Sequence, residues 1–504
     1  MTGERVELGP LRFVTDGVEL RDLELDGERI LDRLYFAVRD PDWGTVEFVA
    51  EPSDGVRDGA GYRIERHGET TAPGPAITAT LTTTADIRSL RVECRTRARA
   101  DAWVNRIGFC LLHPMAFAGR ELRVGTPNGD VDAAFPARIA PHSPFTDLTS
   151  LAFRAGAFDV AVEFEGDEFE MEDQRNWIDA SYKTFSTPLS HPHPRLLPAD
   201  VVHVQAVTIR WRPASPAVPA AAETLLADVA PAEVGIGASR TGPALTAAGA
   251  ALLGELEPAW LAVTLLLDRP WRVRWDAAVA EARLLGCPLD VSLVAEEPAQ
   301  LDAWFRELDR AGTGDLPPLR RIAAYDLLGH VSRRELVAQL RVRRDEREWS
   351  ARASLAGGAR SNFTELNRAR EILPLEWLDE VTFAANAQVH AVDDDSILQT
   401  PRALAVCVRD ALAFAGERPV VVGPLTLKPT FNAVAADPRA HRANPPDPRQ
   451  HTPLAAEWAS AALAACGAAG GATIFETIGG WGLLDADGRP SPAFHAVLAS
   501  RART

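Results

Sequence analysis

The sequence predicts two structural domains, an N-terminal antiparallel β-sandwich followed by a (β/α)8 TIM barrel. Three observations predict this architecture. Residues 1–211 are rich in short runs of alternating apolar and polar residues, residues 212–230 are rich in Pro and Ala, and residues 231–504 repeat an apolar strand pattern followed by an amphipathic helix pattern. Alternation with a period of two is typical of half-buried strands, whereas repeated strand–helix units indicate a parallel sheet.

The N-terminal alternating runs are separated by Gly, Asp and Pro, and helical periodicity is nearly absent among them. Examples are TVEFVA (residues 45–50), ITATLTTT, LRVECRTRA and VVHVQAVTIRW. Short strands joined by turn residues favour an antiparallel sandwich. The segment RPASPAVPAAAE that follows is dense in Pro and Ala, and therefore predicts a linker between domains.

The barrel prediction rests on the number and order of the strand candidates. They are EVGIGAS, WLAVTLLLD, PLDVSLVAEE, PLRRIAAYD, ARASLAGG, LDEVTFAANAQVH, RPVVVGPLTL and GATIFET. Eight strands, each followed by a helix pattern, match the size and rhythm of a TIM barrel. A doubly wound open sheet is the alternative, but no glycine-rich phosphate loop follows the first strand.

Composition excludes several classes of partner. The chain has 53 Lys and Arg against 70 Asp and Glu, a formal net charge of −17, so we do not expect it to bind nucleic acid. The apolar stretches are far shorter than the ~20 residues that span a bilayer, and the start lacks an apolar signal core. We therefore expect a cytoplasmic protein that does not contact membranes.

No common catalytic or cofactor motif is present. The five cysteines are scattered singly, which argues against a disulfide framework or a thiolate zinc site. HExxH, GxSxG, GxxxxGK[ST] and GxGxxG are all absent. Because Asp, Glu and His are dispersed, we expect neither a cofactor nor an obligatory metal ion. The oligomeric state is not predicted.

Catalytic residues of a TIM barrel lie at the carboxyl ends of its strands, which makes Glu476 the first candidate. Glu476 follows Ile474 and Phe475 in the eighth unit. An acidic residue that ends a buried strand is costly unless it is paired or functional, so we predict a catalytic role. Trp481 is predicted either to stack on a sugar ring or simply to pack.

The fifth unit ends in SNFTELNR, directly after a glycine pair. Glu365 is predicted to be a general acid or base, and Asn362 and Asn367 to bind substrate hydroxyl groups. The alternative is structural, with Thr364 capping a helix and Glu365 stabilising its positive end.

Other strand ends supply further candidates. His390 lies where the sixth strand gives way to a loop and is predicted to be catalytic. The fourth unit ends with Tyr325 and Asp326, and the seventh contains Lys428. These three are predicted to bind substrate or else to form turns.

A polar cluster between Glu170 and Lys183 stands out in the N-terminal region. Two of its members, Asp173 and Asn176, are predicted substrate contacts if the cluster forms one wall of the site. The alternative is a salt-bridged contact between domains.

Several segments resemble those of the bacterial D-apionate lactonases, which open D-apionolactone to D-apionate. They are EFEMEDQRNWIDASYKTFSTPL, NRIGFCLLHP, GGARSNFTELNR, NAQVHAVDD and GLLDADGRPSPAFHAV. The resemblance covers nearly the whole chain, and it implies an N-terminal β-domain, a barrel and a small sugar lactone as substrate. It also implies a small β-rich C-terminal domain, which we expect to be missing or shortened because the sequence ends at Thr504 soon after the eighth helix pattern.

A second resemblance is to clan A glycoside hydrolases, whose two catalytic glutamates end strands four and seven. The closing GLLDADGRPSPAFHAV also looks like the end of such a barrel. By our count Glu365 and Glu476 end strands five and eight, and they fall on four and seven only if EVGIGAS is not a barrel strand. The strand count therefore distinguishes the two families.

Three functional hypotheses remain from the sequence. In lactone hydrolysis, Glu476 or Glu365 is the general base for an attacking water, while His390, Asn367 and Lys428 stabilise the oxyanion. In glycoside hydrolysis, the two glutamates are the acid/base and the nucleophile. The third hypothesis is a non-catalytic carbohydrate-binding protein, which would have less need of buried acidic strand ends.

Overall fold

The chain forms two compact units. A computed structural model describes residues 3–58, 61–72, 74–214, 233–435, 437–440 and 443–501. The first unit comprises Met1–Gln174 and Ser181–Glu223, and the second comprises Arg175–Ala180 and Thr224–Thr504. Most of the predicted linker, residues 212–230, lies outside the described residues, and the last strand of the first unit ends at Pro213.

The first unit is built from antiparallel strands. They are β1 Glu4–Leu8, β2 Leu11–Asp16, β3 Glu19–Leu25, β4 Glu28–Arg39, β5 Thr45–Val46, β6 Phe48–Ala50, β7 Val56–Asp58, β8 Gly61–Thr70, β9 Ile77–Ala85, β10 Ser89–Ala98, β11 Ala102–Val104, β12 Arg106–Pro114, β13 Glu121–Thr126, β14 Gly129–Ala134, β15 Phe145–Leu148, β16 Ser150–Ala155, β17 Phe158–Glu165, β18 Phe169–Asp173, β19 Ser181–Phe185, β20 Arg195–Leu197 and β21 Val202–Pro213. Short 3₁₀ turns occur at Met115–Phe117 and Gln174–Trp177.

Two large sheets make the predicted sandwich. The first has the order β1-β2-β3-β4-β12-β19-β18-β15, and the second the order β14-β13-β16-β17-β21-β10-β9-β8-β6. Every second residue of β9 is buried and the residues between them are less buried, which is the arrangement that the alternating sequence pattern predicts for a strand of a sandwich. One hydrophobic core contains residues of both sheets, including Phe109 of β12 and Val207 of β21. The sandwich prediction is confirmed.

The second unit alternates parallel strands with helices. Its strands are β22 Val234–Gly237, β23 Leu261–Leu266, β24 Leu289–Ala295, β25 Leu319–Asp326, β26 Ser354–Ala359, β27 Glu380–Asn386, β28 Val420–Thr426, β29 Gly471–Ile478 and the short β30 Gly482–Leu484. Its helices are α1 Ala247–Gly254, α2 Arg272–Leu285, α3 Pro298–Ala311, α4 Arg334–Asp345, α5 Phe363–Ala369, α6 Asp394–Ala415, α7 Pro453–Ala465 and α8 Pro492–Arg501, with 3₁₀ turns at Leu375–Trp377 and Pro438–Ala440.

The eight strands from β22 to β29 close into a barrel, because β22 pairs in parallel with β29 as well as with β23. The TIM barrel prediction is therefore confirmed, and the doubly wound alternative is wrong. EVGIGAS contains the first barrel strand. Glu476 accordingly lies in strand eight and Glu365 follows strand five, which is not the clan A arrangement on strands four and seven.

The amino-terminal end of the barrel is filled by Trp260 and Arg321. Arg321 donates to Asp290 at 2.7 Å and to Glu380 at 2.5 Å, and its guanidinium lies 4.7 Å from the Trp260 ring centre. Gly235 permits this packing, because a Cβ there would lie 2.1 Å from Trp260 Nε1. The barrel interior is thus a packed, ion-paired core at this end.

Within the described residues, no helix combines the length and the apolar character needed to cross a bilayer.

Candidate active site

A cavity of about 390 Å³ opens at the carboxyl ends of the barrel strands. Barrel strands one to five, seven and eight, with the loops and helix starts that follow them, contribute its lining. The lining residues are Gly237, Ala238, Arg240, Ala262, Thr264, Leu265, Leu266, Arg269, Pro270, Trp271, Arg274, Asp290, Ser292, Tyr325, Arg360, Gly423, Pro424, Thr426, Thr430, Phe431, Ala443, Thr473, Phe475 and Glu476. This is the position where TIM barrels hold their active sites.

Glu476 lines the cavity because β29 is irregular at Phe475. Phe475 has φ 46°, and the register with β22 shifts there, so that Ile236 pairs with Ile474 but Gly237 pairs with Glu476. A bulge of this kind re-aims side chains beside a site. Phe475 and Glu476 both line the cavity, although neighbouring residues of a regular strand point to opposite faces.

Arg240 holds the Glu476 carboxylate in place. Its Nε donates to Glu476 Oε1, and its backbone N–H donates to Oε2 at 3.0 Å. The guanidinium stacks over Trp481, 4.6 Å from a ring centre, and one of its terminal nitrogens is buried without a hydrogen-bond partner in the described residues. Trp481 is buried and is not part of the cavity lining, so it packs against Arg240 and does not face the cavity.

The loop that carries Arg240 is braced by α2. Arg274 donates to the carbonyl oxygens of Ala238 and Ser239. Glu281 accepts from the Ser239 backbone N–H at 3.2 Å and from Thr477 Oγ1 at 2.8 Å. Burial raises the pKa of Glu281 and lowers the pKa of Arg274. These contacts tie the end of strand one to the end of strand eight.

Arg360 follows strand five and lies almost fully buried against the cavity. Its guanidinium contacts His330 Nδ1 at 2.9 Å and lies 4.3 Å from the Phe431 ring centre. Its Nε is buried without a hydrogen-bond partner among the residues described. Burial lowers the pKa of Arg360 to about 10, which leaves the group protonated at neutral pH. Arg360 therefore brings a cation to the cavity.

Tyr325 lines the inner part of the cavity, whereas Asp326 is used in a turn. Tyr325 shares a hydrogen bond of 2.6 Å with Thr382 Oγ1, and burial raises its pKa to about 12. Asp326 accepts from the Gly329 backbone N–H at 2.5 Å and lies 3.3 Å from Arg333 Nε. It is absent from the lining.

Glu365 and Asn362 form a capping box at the start of α5. The Glu365 carboxylate accepts from Ser361 Oγ at 2.6 Å and from the Asn362 backbone N–H at 3.0 Å. Burial raises the pKa of Glu365. Neither side chain lines the cavity, and the helix cap is Asn362, not Thr364 as the structural alternative proposed.

A second group of polar residues, the histidine cluster, lies after strands five and six and includes the segment Arg175–Ala180. His390 Nδ1 is 2.6 Å from Asp179 Oδ2, and the His390 ring meets Trp177 edge-on. Asn367 donates to Asn176 Oδ1 at 3.0 Å. The structure thus unites three predicted residues, His390, Asn367 and Asn176, but outside the lining of the cavity.

The remaining predicted contacts lie elsewhere. Lys428 is not part of the cavity lining, and its carbonyl oxygen accepts from Thr426 Oγ1 at 2.8 Å. Asp173 belongs to the first unit, where it is buried and accepts from the Ala140 backbone N–H at 3.1 Å.

Sequence reasoning missed the arginines of the cavity. Arg240 and Arg360 each follow a predicted strand directly, in EVGIGASR and GGAR. Glu476 was selected because it lies at the end of a barrel strand, and the same position would have selected these arginines. They were missed because arginines were not considered as transition-state stabilisers at these strand ends.

In the described ranges, no three or more His, Cys, Asp or Glu side chains are grouped so that they could hold a metal ion. The expectation that no metal is required stays a prediction.

A closed barrel with a charged cavity at the carboxyl ends of its strands is the arrangement of a TIM-barrel enzyme. Two family models cover almost the whole chain: "D-apionate lactonase, N-terminal domain" matches residues 1–214, and "D-apionate lactonase, TIM barrel domain" matches residues 234–503. The chain belongs to the D-apionate lactonase family.

One curated relative agrees with this assignment. A D-apionate lactonase of Brucella anthropi is 29% identical, over 95% of this chain and 83% of that protein. Among solved structures, a family 39 glycoside hydrolase of Bacteroides cellulosilyticus is 9% identical over 80% of this chain and 81% of its own, with a TM-score of 0.35. An α-galactosidase of Lactobacillus brevis is 9% identical over 84% and 69%, with a TM-score of 0.31. At these TM-scores neither structure bears on function.

Proposed function

We propose that the protein hydrolyses the ester bond of a sugar lactone, of the D-apionolactone type, in the barrel cavity. The observation that carries this proposal is the composition of the cavity wall. It combines a fixed carboxylate, Glu476, with two guanidinium groups, Arg274 and Arg360, that have no acidic side chain at ion-pair distance in the described part of the chain. Hydrolysis of a neutral lactone creates negative charge, which these cations stabilise.

Glu476 is the proposed general base. Its carboxylate takes a proton from water as the water oxygen attacks the lactone carbonyl carbon. The carbonyl oxygen becomes an oxyanion, which the positive charge of the Arg360 guanidinium stabilises. The ring C–O bond then breaks, and Glu476 returns the proton to the departing ring oxygen. The acid product ionises at neutral pH and leaves as a carboxylate.

The glycosidase alternative loses support from the strand count. Strand four ends in Tyr325 and Asp326, and strand seven ends in Thr426, so neither supplies a glutamate. The Glu365 carboxylate is already hydrogen-bonded at the start of its own helix.

A screen of D-apionolactone and other aldonolactones against aryl glycosides tests the proposal directly. Acid release without sugar release is expected, and release of sugar alone would contradict it.

The histidine cluster offers a second candidate base within the same reaction class. An aspartate that binds Nδ1 fixes the tautomer of a histidine and leaves Nε2 to accept a proton, which is the dyad geometry of His390 and Asp179. The two candidates differ in which side chain accepts the proton.

Substitution of His390 separates the candidates. His390→Gln removes the imidazole, so it should lower kcat by ~100-fold or more only if the histidine cluster supplies the base. We expect this variant to keep most of the wild-type kcat, because only Glu476 of the two lines the cavity. A loss of ~100-fold with an unchanged thermal melt would move the base to the histidine cluster.

Glu365→Gln is expected to keep most of the activity. Glutamine also completes a capping box, since its side-chain oxygen can accept from the Asn362 backbone N–H. Initial rates at saturating lactone, with a thermal melt to verify folding, test this expectation. A loss of ~100-fold in kcat with an unchanged melt would instead make Glu365 an acid or base in the reaction.

A further inference from the structure

The first unit contains a cavity of its own, of about 240 Å³, at one end of the two sandwich sheets. We refer to it as the sandwich pocket. Its lining residues are Phe36, Cys94, Thr96, Ile107, Gly166, Asp167, Arg195, Val202, His203, Val204 and Gln205. At roughly 30 Å³ for each water molecule, it has the room of about eight waters, which suits a small organic ligand.

Strand register places polar side chains where the sandwich core would otherwise be apolar. In the β10–β21 pair, Thr96 lies opposite His203 and Cys94 lies opposite Gln205. Residues directly opposite each other in an antiparallel pair share one face. Thr96, Cys94 and Gln205 are all buried, so this face is the interior of the sandwich.

His203 lines the pocket and has one buried polar atom that is without a partner across the described ranges. Its Nε2 is buried and has no hydrogen-bond partner within the described residues. Burial is the main cause that lowers its pKa, so the ring is neutral at pH 7. A neutral imidazole left unpaired is destabilising, and a ligand with a hydroxyl group would satisfy it.

Asp167 and Arg195 complete the pocket with charges that balance. Asp167 Oδ2 accepts from Gln205 Nε2 at 3.2 Å and from Thr187 Oγ1 at 3.1 Å, and Arg195 Nη1 lies 3.9 Å from it. Gly166 has φ 89°, and a Cβ at this position would lie 2.0 Å from the Val204 carbonyl oxygen. The absence of a side chain therefore lets the backbone pass close to β21, which brings Asp167 to the pocket. The carboxylate is therefore held in a fixed position.

We propose that the sandwich pocket binds a small neutral polyol or sugar, as a site separate from the barrel cavity. The pocket presents an anionic acceptor, a cationic donor and a neutral imidazole, with no net charge. Hydroxyl groups both donate and accept, so a polyhydroxylated molecule matches this set. A carboxylate ligand would meet Asp167 with the same charge and is disfavoured.

Calorimetric titration of the full chain with ribitol, and with ribonate as the charged comparison, tests the proposal. Ribitol is expected to bind saturably and more tightly than ribonate. His203→Phe keeps a ring of similar size but removes the nitrogen, and should weaken ribitol binding by about tenfold or more, as expected for one lost hydrogen bond to a buried group. His67→Phe, at an exposed histidine of β8, is the matched control and should not change it.

Asp167→Asn provides a second readout, since it removes the negative charge and should reverse the preference from ribitol to ribonate. Absence of ribitol binding, or ribitol binding that His203→Phe leaves unchanged, would overturn the proposal. Glu476→Gln should lower lactone turnover without affecting the His203-dependent site. Failure of the sandwich pocket and failure of the proposed lactonase activity are therefore distinguishable.

Discussion

Glu476→Gln is expected to lower kcat for lactone hydrolysis by ~10²–10⁴-fold, the usual contribution of a general base. Glutamine keeps the shape of the side chain and one acceptor for Arg240, but it cannot take the proton of the attacking water. Because Arg360 and Arg274 remain, KM should change much less than kcat. Steady-state kinetics with D-apionolactone measure both constants.

Glu376→Gln is the control for this variant. Glu376 forms an exposed ion pair with Arg334, neither residue lines the barrel cavity, and its neutralisation should leave kcat unchanged. If Glu476→Gln retains the wild-type kcat, Glu476 is not the base, and the proposed mechanism fails.

Arg321→Met is expected to destabilise the barrel by roughly 3–5 kcal/mol, because it removes the buried cation that the partly buried Asp290 and the buried Glu380 share. Methionine replaces much of the arginine stem, so the effect comes mainly from the lost charge. Urea unfolding, followed by tryptophan fluorescence, should show a lower midpoint for the transition of the second unit.

Arg334→Met is a closely matched comparison for Arg321→Met. Arg334 also pairs with a glutamate, Glu376, and also lies over a tryptophan ring, 4.5 Å from the centre of Trp377, but it is exposed. Exposed pairs contribute about 0–1 kcal/mol. Equal losses in the two variants would show that burial of the Arg321 network adds nothing to stability.

The sequence was sufficient for the architecture because burial imposes simple periods. β9 and β10 alternate as the pattern required, and each barrel strand was found as an apolar run before a helix pattern. One prediction of this kind was wrong. TVEFVA does not form one continuous strand but two short strands, β5 and β6, which are interrupted at Glu47.

The site was less accessible to sequence reasoning because local motifs serve more than one purpose. SNFTELNR fits both a catalytic strand end and a helix cap, and the structure uses Asn362 and Glu365 as a cap. The three-residue spacing of a capping box was present in the sequence and favoured that outcome. The pairing of His390 with Asp179 joins residues 211 positions apart, which no local pattern encodes.

The segment Arg175–Ala180 has a consequence for how this family can vary. It lies between two strands of the sandwich sequence, yet it supplies Asn176 to Asn367, Asp179 to His390 and the Arg175 carbonyl oxygen to Cys407 Sγ at 3.0 Å. A genetic exchange of whole domains at the Pro/Ala-rich junction would import a foreign hexapeptide into the barrel. Compatible chimaeras therefore need these six residues to be inherited together with their barrel partners.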